Sequence, residues 1–158
     1  MQKEEQAQYP KRPRVKDFSY KGQFAYFITI CTALKKKLFV SQEVFELVFN
    51  YLRETSKEFG FGIYAYCFMP DHLHLLIVAE DETADLNKFL KTFKQKSAFY
   101  FKMEFGEKLW QPSFYDHVLR KRESLNKIAE YILFNPVRKG FAEDYKKYPY
   151  LGSVMFEI

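Results

Sequence analysis

Only two of the 158 residues are cysteine, and Cys31 and Cys67 stand alone in apolar, aromatic stretches without the close spacing of a thiolate metal site. Reduced core thiols of an intracellular protein are expected, rather than a disulfide. No apolar run approaches the ~20 residues that a membrane-spanning helix needs, and the polar N-terminus has no apolar signal core. The chain is therefore expected in the cytoplasm, with no membrane partner. Internal repeats and low-complexity segments are also missing, which excludes solenoids and fibrous arrays.

What the chain does have is length for a sizeable core, with 18 Phe and 12 Tyr, and a formal charge of +5 that admits a polyanion as partner. Residues 1–22 read as a basic arm, with Pro10 and Pro13 among Lys11, Arg12, Arg14 and Lys16, and residues 23–158 as one domain. Aromatic and β-branched residues at 24–31 predict a first strand. Ser41 caps a helix whose apolar residues Val44, Leu47, Val48, Tyr51 and Leu52 follow at helical spacing. Two further strands, 63–69 and 72–78, are separated by Pro70-Asp71, a tight-turn signal.

A second amphipathic helix is expected within residues 83–103. Lys88, Lys91, Lys94, Lys96 and Lys102 lie on it with no acidic residue among them. A solvated helix usually interleaves both signs, so phosphate contact is a reading of that face. Residues 114–119 suit a fourth strand, followed by the basic run Arg120, Lys121 and Arg122. The last helix, 124–134, is expected to stop at Asn135-Pro136. This βαββαβ order predicts an α+β, ferredoxin-like or RRM-like sandwich, an antiparallel sheet with two helices on one face and an added C-terminal helix.

Chemistry centres on Met69-Pro70-Asp71-His72-Leu73-His74. Alternation along a strand turns His72 and His74 to one face and Leu73 and Leu75 to the other, so two imidazoles converge as metal ligands can. On the last helix Tyr131 falls at the edge of the apolar stripe, with Asn135 one turn on. Tyr115 is a rival nucleophile, but beside His117 on a strand it does not present a hydroxyl to the His pair.

The run Tyr66-Cys67-Phe68-Met69-Pro70-Asp71-His72-Leu73-His74-Leu75-Leu76 resembles the His-hydrophobe-His (HUH) motif of single-tyrosine DNA transposases. Leu109-Trp110-Gln111-Pro112, Tyr115-Asp116-His117 and Tyr131-Ile132-Leu133-Phe134-Asn135-Pro136-Val137-Arg138 resemble later blocks of the branch associated with repetitive extragenic palindromes (REP), and residues 17–32 resemble its entry. That resemblance implies a metal-dependent nuclease and strand transferase acting on single-stranded DNA beside a hairpin, in the nucleoid. It also implies His72 and His74 as ligands of Mg²⁺ or Mn²⁺, Tyr131 as the nucleophile that leaves a 5′-phosphotyrosyl link, and Asn135 as third ligand. Lys88, Lys91, Lys94, Lys96, Arg120, Lys121, Arg122 and Arg138 become DNA contacts, with His117 and Trp110 as active-site support. Asp71 departs from the family, which frequently has Asn there. A homodimer is compatible with the family, and so is a monomer.

Two other readings differ in chemistry. His72, His74 and His117 together would suit a zinc hydrolase. A noncatalytic module reading single strands on aromatics would suit the sheet, although the Gly-aromatic run of an RRM is absent.

Overall fold

The computed structural model of the protein describes residues 24–119 and 124–157. The expected arm at 1–22 and the basic residues Arg120, Lys121 and Arg122 lie outside the described residues. The elements in chain order are β1 (Ala25–Cys31), α1 (Gln42–Glu58), β2 (Phe61–Met69), β3 (His72–Ala79), α2 (Leu86–Phe105), β4 (Tyr115–Leu119), α3 (Ser124–Leu133), the single turn α4 (Asn135–Arg138) and β5 (Leu151–Gly152). The strands form an antiparallel sheet in the order β4-β1-β3-β2-β5. This is the expected α+β arrangement with one small edge strand added.

Local chemistry sets the element ends. Ser41 Oγ accepts from the backbone N–H of Val44 at 3.3 Å, and Asp85 Oδ1 caps α2 by accepting from Lys88 N at 3.2 Å. Gly106 ends α2 at φ 75°, a left-handed turn that suits glycine. The two-residue turn Pro70-Asp71 joins β2 to β3, with Met69 opposite His72. A strap holds that turn: Pro70 O accepts from Leu38 N at 2.8 Å and Phe39 N at 3.1 Å, and Asp71 O accepts from Thr32 N at 3.0 Å.

One sheet face packs against α1 and α2. Tyr26, Ile28, Ile30, Phe68, Leu73 and Leu75 meet Val48 and Leu52 of α1 and Phe89 and Phe93 of α2 there. The other face is covered by α3, where Phe27, Cys67, Met69 and Leu76 meet Ile128, Ala129, Tyr131 and Ile132. The register of β2 on β3 shifts between Ile63 and Ala65. This irregularity turns Ala65, Cys67 and Met69 to the α3 side although Ile63 faces α1, because one extra residue reverses the alternation.

Two expectations change. The helix carrying Tyr131 ends at Leu133, but Pro136 does not stop the helical path. Proline fits the first turn of a new helix, where its missing N–H has no partner to lose, so α4 begins at Asn135. Strand β5 was not expected, because two residues carry no periodicity. It is held by pairing Leu151 and Gly152 with Cys67 and Tyr66. At Gly152 an added Cβ would stand 2.9 Å from Tyr66 Oη, so the close approach requires glycine.

Candidate active site

β3 delivers His72 and His74 to the α3 side of the sheet, both buried, with Leu73 and Leu75 in the opposite core. Their Nε2 atoms face each other at 3.1 Å. The outer ring nitrogens are each held: Asp71 Oδ1 lies 2.6 Å from His72 Nδ1, and Thr29 Oγ1 lies 3.0 Å from His74 Nδ1. Antiparallel pairing causes the second contact, since Thr29 of β1 is the cross-strand partner of His74. The hydrogen bond from His72, opposed by partial burial, holds the Asp71 carboxyl below its ordinary value of 3.8, and the charge of Lys139 adds a smaller pull.

Where Thr29 Oγ1 donates to His74 Nδ1, His74 Nε2–H can donate to His72 Nε2; where both Nδ1 atoms donate outward, two bare Nε2 lone pairs point at one another and suit a positive centre between them. A proton on one Nε2 is one solution. A cation is the other, and the residues fit it: adjacent ligands of an octahedral ion with ~2.1 Å bonds stand ~3 Å apart.

Tyr131 reaches this pair from α3. Its ring centroid lies 6.5 Å from His74 and 6.1 Å from Phe27, and its hydroxyl is buried. Nucleophile candidate and imidazoles thus come from the same chain. The helical path through α4 then brings residue i+7 back over residue i. The Arg138 guanidinium lies 3.9 Å from the Tyr131 ring centroid, while Nη1 donates to Tyr131 O at 2.8 Å and Nη2 to Asn135 Oδ1 at 3.0 Å. In this arrangement Arg138, expected as a DNA contact, holds the tyrosine. Asn135 is fully buried. Its Oδ1, the atom suited to an ion, accepts from Arg138, and its Nδ2 has no hydrogen-bond partner among the described residues.

Other expected site residues are placed differently. Tyr115 and His117 do turn to the same face as the His pair, opposite Thr29 and Phe27, but β1 separates their strand from β3. Among the described residues no three His, Cys, Asp or Glu side chains form a metal-holding group, so the zinc triad of His72, His74 and His117 is not assembled. Trp110 is a correction. Its indole is buried between Phe39 and Phe93 on the α1/α2 side and donates to Ser97 Oγ at 2.9 Å. Its link to the site is indirect, through its bridge to Thr32, which holds the Asp71 carbonyl. Cys31 and Cys67 are buried and stand opposite His72 and His74 on the two strands flanking β3. They are two strand spacings apart, ~9–10 Å, beyond disulfide reach.

Helix α2 lies on the sheet face away from the imidazoles. Lys94 Nζ donates to the carbonyls of Gln111 and Ser113, both at 3.0 Å. Lys96 pairs with Glu54 at 3.3 Å and Glu58 at 3.9 Å, both on α1. The acids missing from the helix's own sequence are thus supplied for Lys96 by its neighbour. Lys88 and Lys91 are exposed. Sequence reasoning missed Thr29 as a neighbour of His74 and the charge of Lys139 on Asp71, because strand register and the return of α4 leave no local signal.

The family model for IS200-like transposases matches residues 20–134, which include His72, His74 and Tyr131 but stop before Asn135. A Haemophilus influenzae protein provisionally named a REP-associated tyrosine transposase is 29% identical over 150 residues, covering 85% of this chain and 81% of that protein. The REP-associated tyrosine transposase of Escherichia coli is 22% identical over 131 residues, covering 82% of this chain and 76% of its own. A solved REP-associated tyrosine transposase bound to a REP hairpin has the same fold, with a TM-score of 0.72 at 20% identity, over 89% of this chain and 82% of that one. The chain belongs to the IS200-like transposase family. It is accordingly an enzyme, with DNA binding and DNA recombination as its field of action.

Proposed function

We propose that the protein cleaves and rejoins single-stranded DNA beside a hairpin, in the cytoplasm on nucleoid DNA, with Tyr131 as nucleophile. The observation that carries this reading is the convergence, within one chain, of the facing His72 and His74 nitrogens and the Tyr131 ring. The relative solved with a REP hairpin supports the choice of substrate.

Tyr131 Oη forms a bond to the scissile phosphorus and the P–O3′ bond breaks. The DNA 5′-phosphate is then esterified to tyrosine, and a 3′-hydroxyl is released with the proton the tyrosine gives up. Attack by a 3′-hydroxyl on that phosphorus reverses the exchange and restores the Tyr131 hydroxyl. A tyrosine hydroxyl ionises near pH 10 in water and needs help at neutral pH. His72 and His74 would hold Mg²⁺ or Mn²⁺, with Asn135, whose Oδ1 also accepts from Arg138, as the proposed third ligand, and the ion would supply charge withdrawal from the phosphate and help orient it for in-line attack. Asp71 and Thr29 keep the imidazole rings in orientation. Arg138 and Phe27 restrict the Tyr131 ring, which lowers the entropy of reaching the attack geometry. Lys88 and Lys91, with Arg120, Lys121 and Arg122, are proposed phosphate contacts whose binding releases counterions.

The test is a denaturing gel of full-length protein with labelled single-stranded hairpin DNA and Mg²⁺ or Mn²⁺. A covalent band is expected for the wild type and absent for Tyr131→Phe and His72→Ala. Binding without cleavage in any metal would support the noncatalytic module instead.

A further inference from the structure

Phe134 lies one turn beyond Tyr131 and is 43% exposed. Residues three apart on a helical path are surface neighbours, so Phe134 occupies the exposed position adjoining that of Tyr131. Tyr145, in the short helical turn Tyr145–Lys147, packs on it with centroids 4.8 Å apart and planes inclined at 53°. Asp144 Oδ1 caps that turn by accepting from Lys146 N at 3.0 Å, which fixes where Tyr145 stands. Lys146 Nζ lies 6.0 Å from the Tyr145 centroid, and Lys147 is exposed beside it.

The charge of this surface separates it from the exposed aromatic patch on α2. Apart from Arg138, which is engaged by Tyr131 and Asn135, residues 134–147 carry three cations, Lys139, Lys146 and Lys147, against two acids, Glu143 and Asp144. On α2, the exposed Tyr100 and Met103 border a groove lined by Glu43, Glu46, Glu54 and Glu104, which repels phosphate. An aromatic surface rimmed by cations, next to a phosphate-attacking tyrosine, matches what a single strand offers: flat bases joined by anions.

We propose that Phe134 and Tyr145 form a stacking platform for nucleobases flanking the phosphate that Tyr131 attacks, with Lys146 and Lys147 on the adjoining backbone. This rests on the function proposed above and adds the subsite that holds the strand beside the cut. Every base has a π face, so the platform grips single strands with little dependence on sequence, and a paired duplex cannot use it.

The experiment titrates full-length wild type, Phe134→Ala, Phe134→Leu, Phe134→Trp and Tyr145→Ala with hairpin DNA bearing a single-stranded flank. The flank is walked with an abasic site and, separately, with a fluorescent adenine analogue. The Ala and Leu variants are expected to bind about five- to a hundredfold more weakly, Trp to retain binding, and the analogue at one or two flank positions to be quenched only when the ring is present. An abasic site at those positions should erase the difference between wild type and Phe134→Leu. Phe99→Ala on α2 serves as a control with unchanged affinity. Wild-type affinity in both Phe134→Ala and Phe134→Leu, or an equal loss whichever flank base is removed, overturns the platform. Position-specific quenching without any covalent band in metal would leave the platform standing and remove the cleavage reading. A covalent band with no position-specific quenching would do the reverse.

Discussion

Against α1 and α2 the sheet presents packed aromatic and branched side chains, and the buried hydroxyls of Thr55, Ser56 and Ser97 on those helices are bonded close to home. Thr55 Oγ1 donates to Tyr51 O, Ser56 Oγ to Arg53 O, and Ser97 Oγ to Phe93 O while accepting from Trp110. On the face under α3 the buried polar groups are two imidazoles turned toward each other and an asparagine with one amide hydrogen-bonding group unused among the described residues. An unmade buried hydrogen bond costs about 1–3 kcal/mol. The first face is arranged for stability. The second tolerates that cost, as the proposed binding of a substrate and an ion would require.

Removing the nucleophile should break the comparison most sharply. Tyr131→Phe is expected to lower covalent adduct formation by at least ~10³-fold, while a thermal melt shows little change, because the ring still packs on Phe27. Phe68→Ala, buried on the other face against Phe39 and Phe45, should do the opposite. A loss of about 3–5 kcal/mol is expected from urea unfolding, and adduct formation per folded molecule should stay near wild type.

Asp71→Ala should weaken ion-dependent activity by about 10–100-fold, read as the Mn²⁺ concentration for half-maximal adduct, with Asp71→Asn affected less because its amide oxygen still accepts from His72. The same contact predicts a direction with pH. The Asp71 carboxyl titrates lower when folded than its ordinary 3.8, so its contribution to stability is complete above the unfolded value. It is lost as pH falls through the folded one. Urea midpoints measured from pH 5 downward should therefore fall less steeply in Asp71→Asn than in wild type.

Arg138→Met, which keeps the stem but not the planar cation, should slow adduct formation about tenfold at saturating DNA, with hairpin affinity unchanged. A parallel loss of affinity would return Arg138 to the DNA contacts. The smallest effect concerns α2. Lys91→Ala should reduce the slope of log affinity against log salt by about 1, and Lys96→Ala, whose partners are Glu54 and Glu58, should leave it unchanged.

Periodicity made much of this readable. The alternation at His72, Leu73, His74 and Leu75 assigned the imidazoles to one face, Pro70-Asp71 marked the turn, and Ser41 marked the start of α1. Trp110 illustrates the limit. Its position in a family-like block placed it near the site, whereas its burial beside Phe93 was decided by how the loop after α2 crosses the helix-side core. The α2 lysines illustrate another, since a run without acids in one helix cannot show that Glu54 and Glu58 wait on the next.

By itself the sequence determined which residues share a face or a turn, because backbone stereochemistry repeats every two residues in a strand and about every 3.6 in a helix. The tertiary structure alone decided which faces meet. Thr29 reaches His74 through strand register across 45 residues, Tyr131 reaches the same imidazole because α3 crosses the open face of β2 and β3, and Arg138 returns to Tyr131 because α4 continues the helical path past Pro136. Such contacts depend on the path of the whole chain, and no local repeat encodes them.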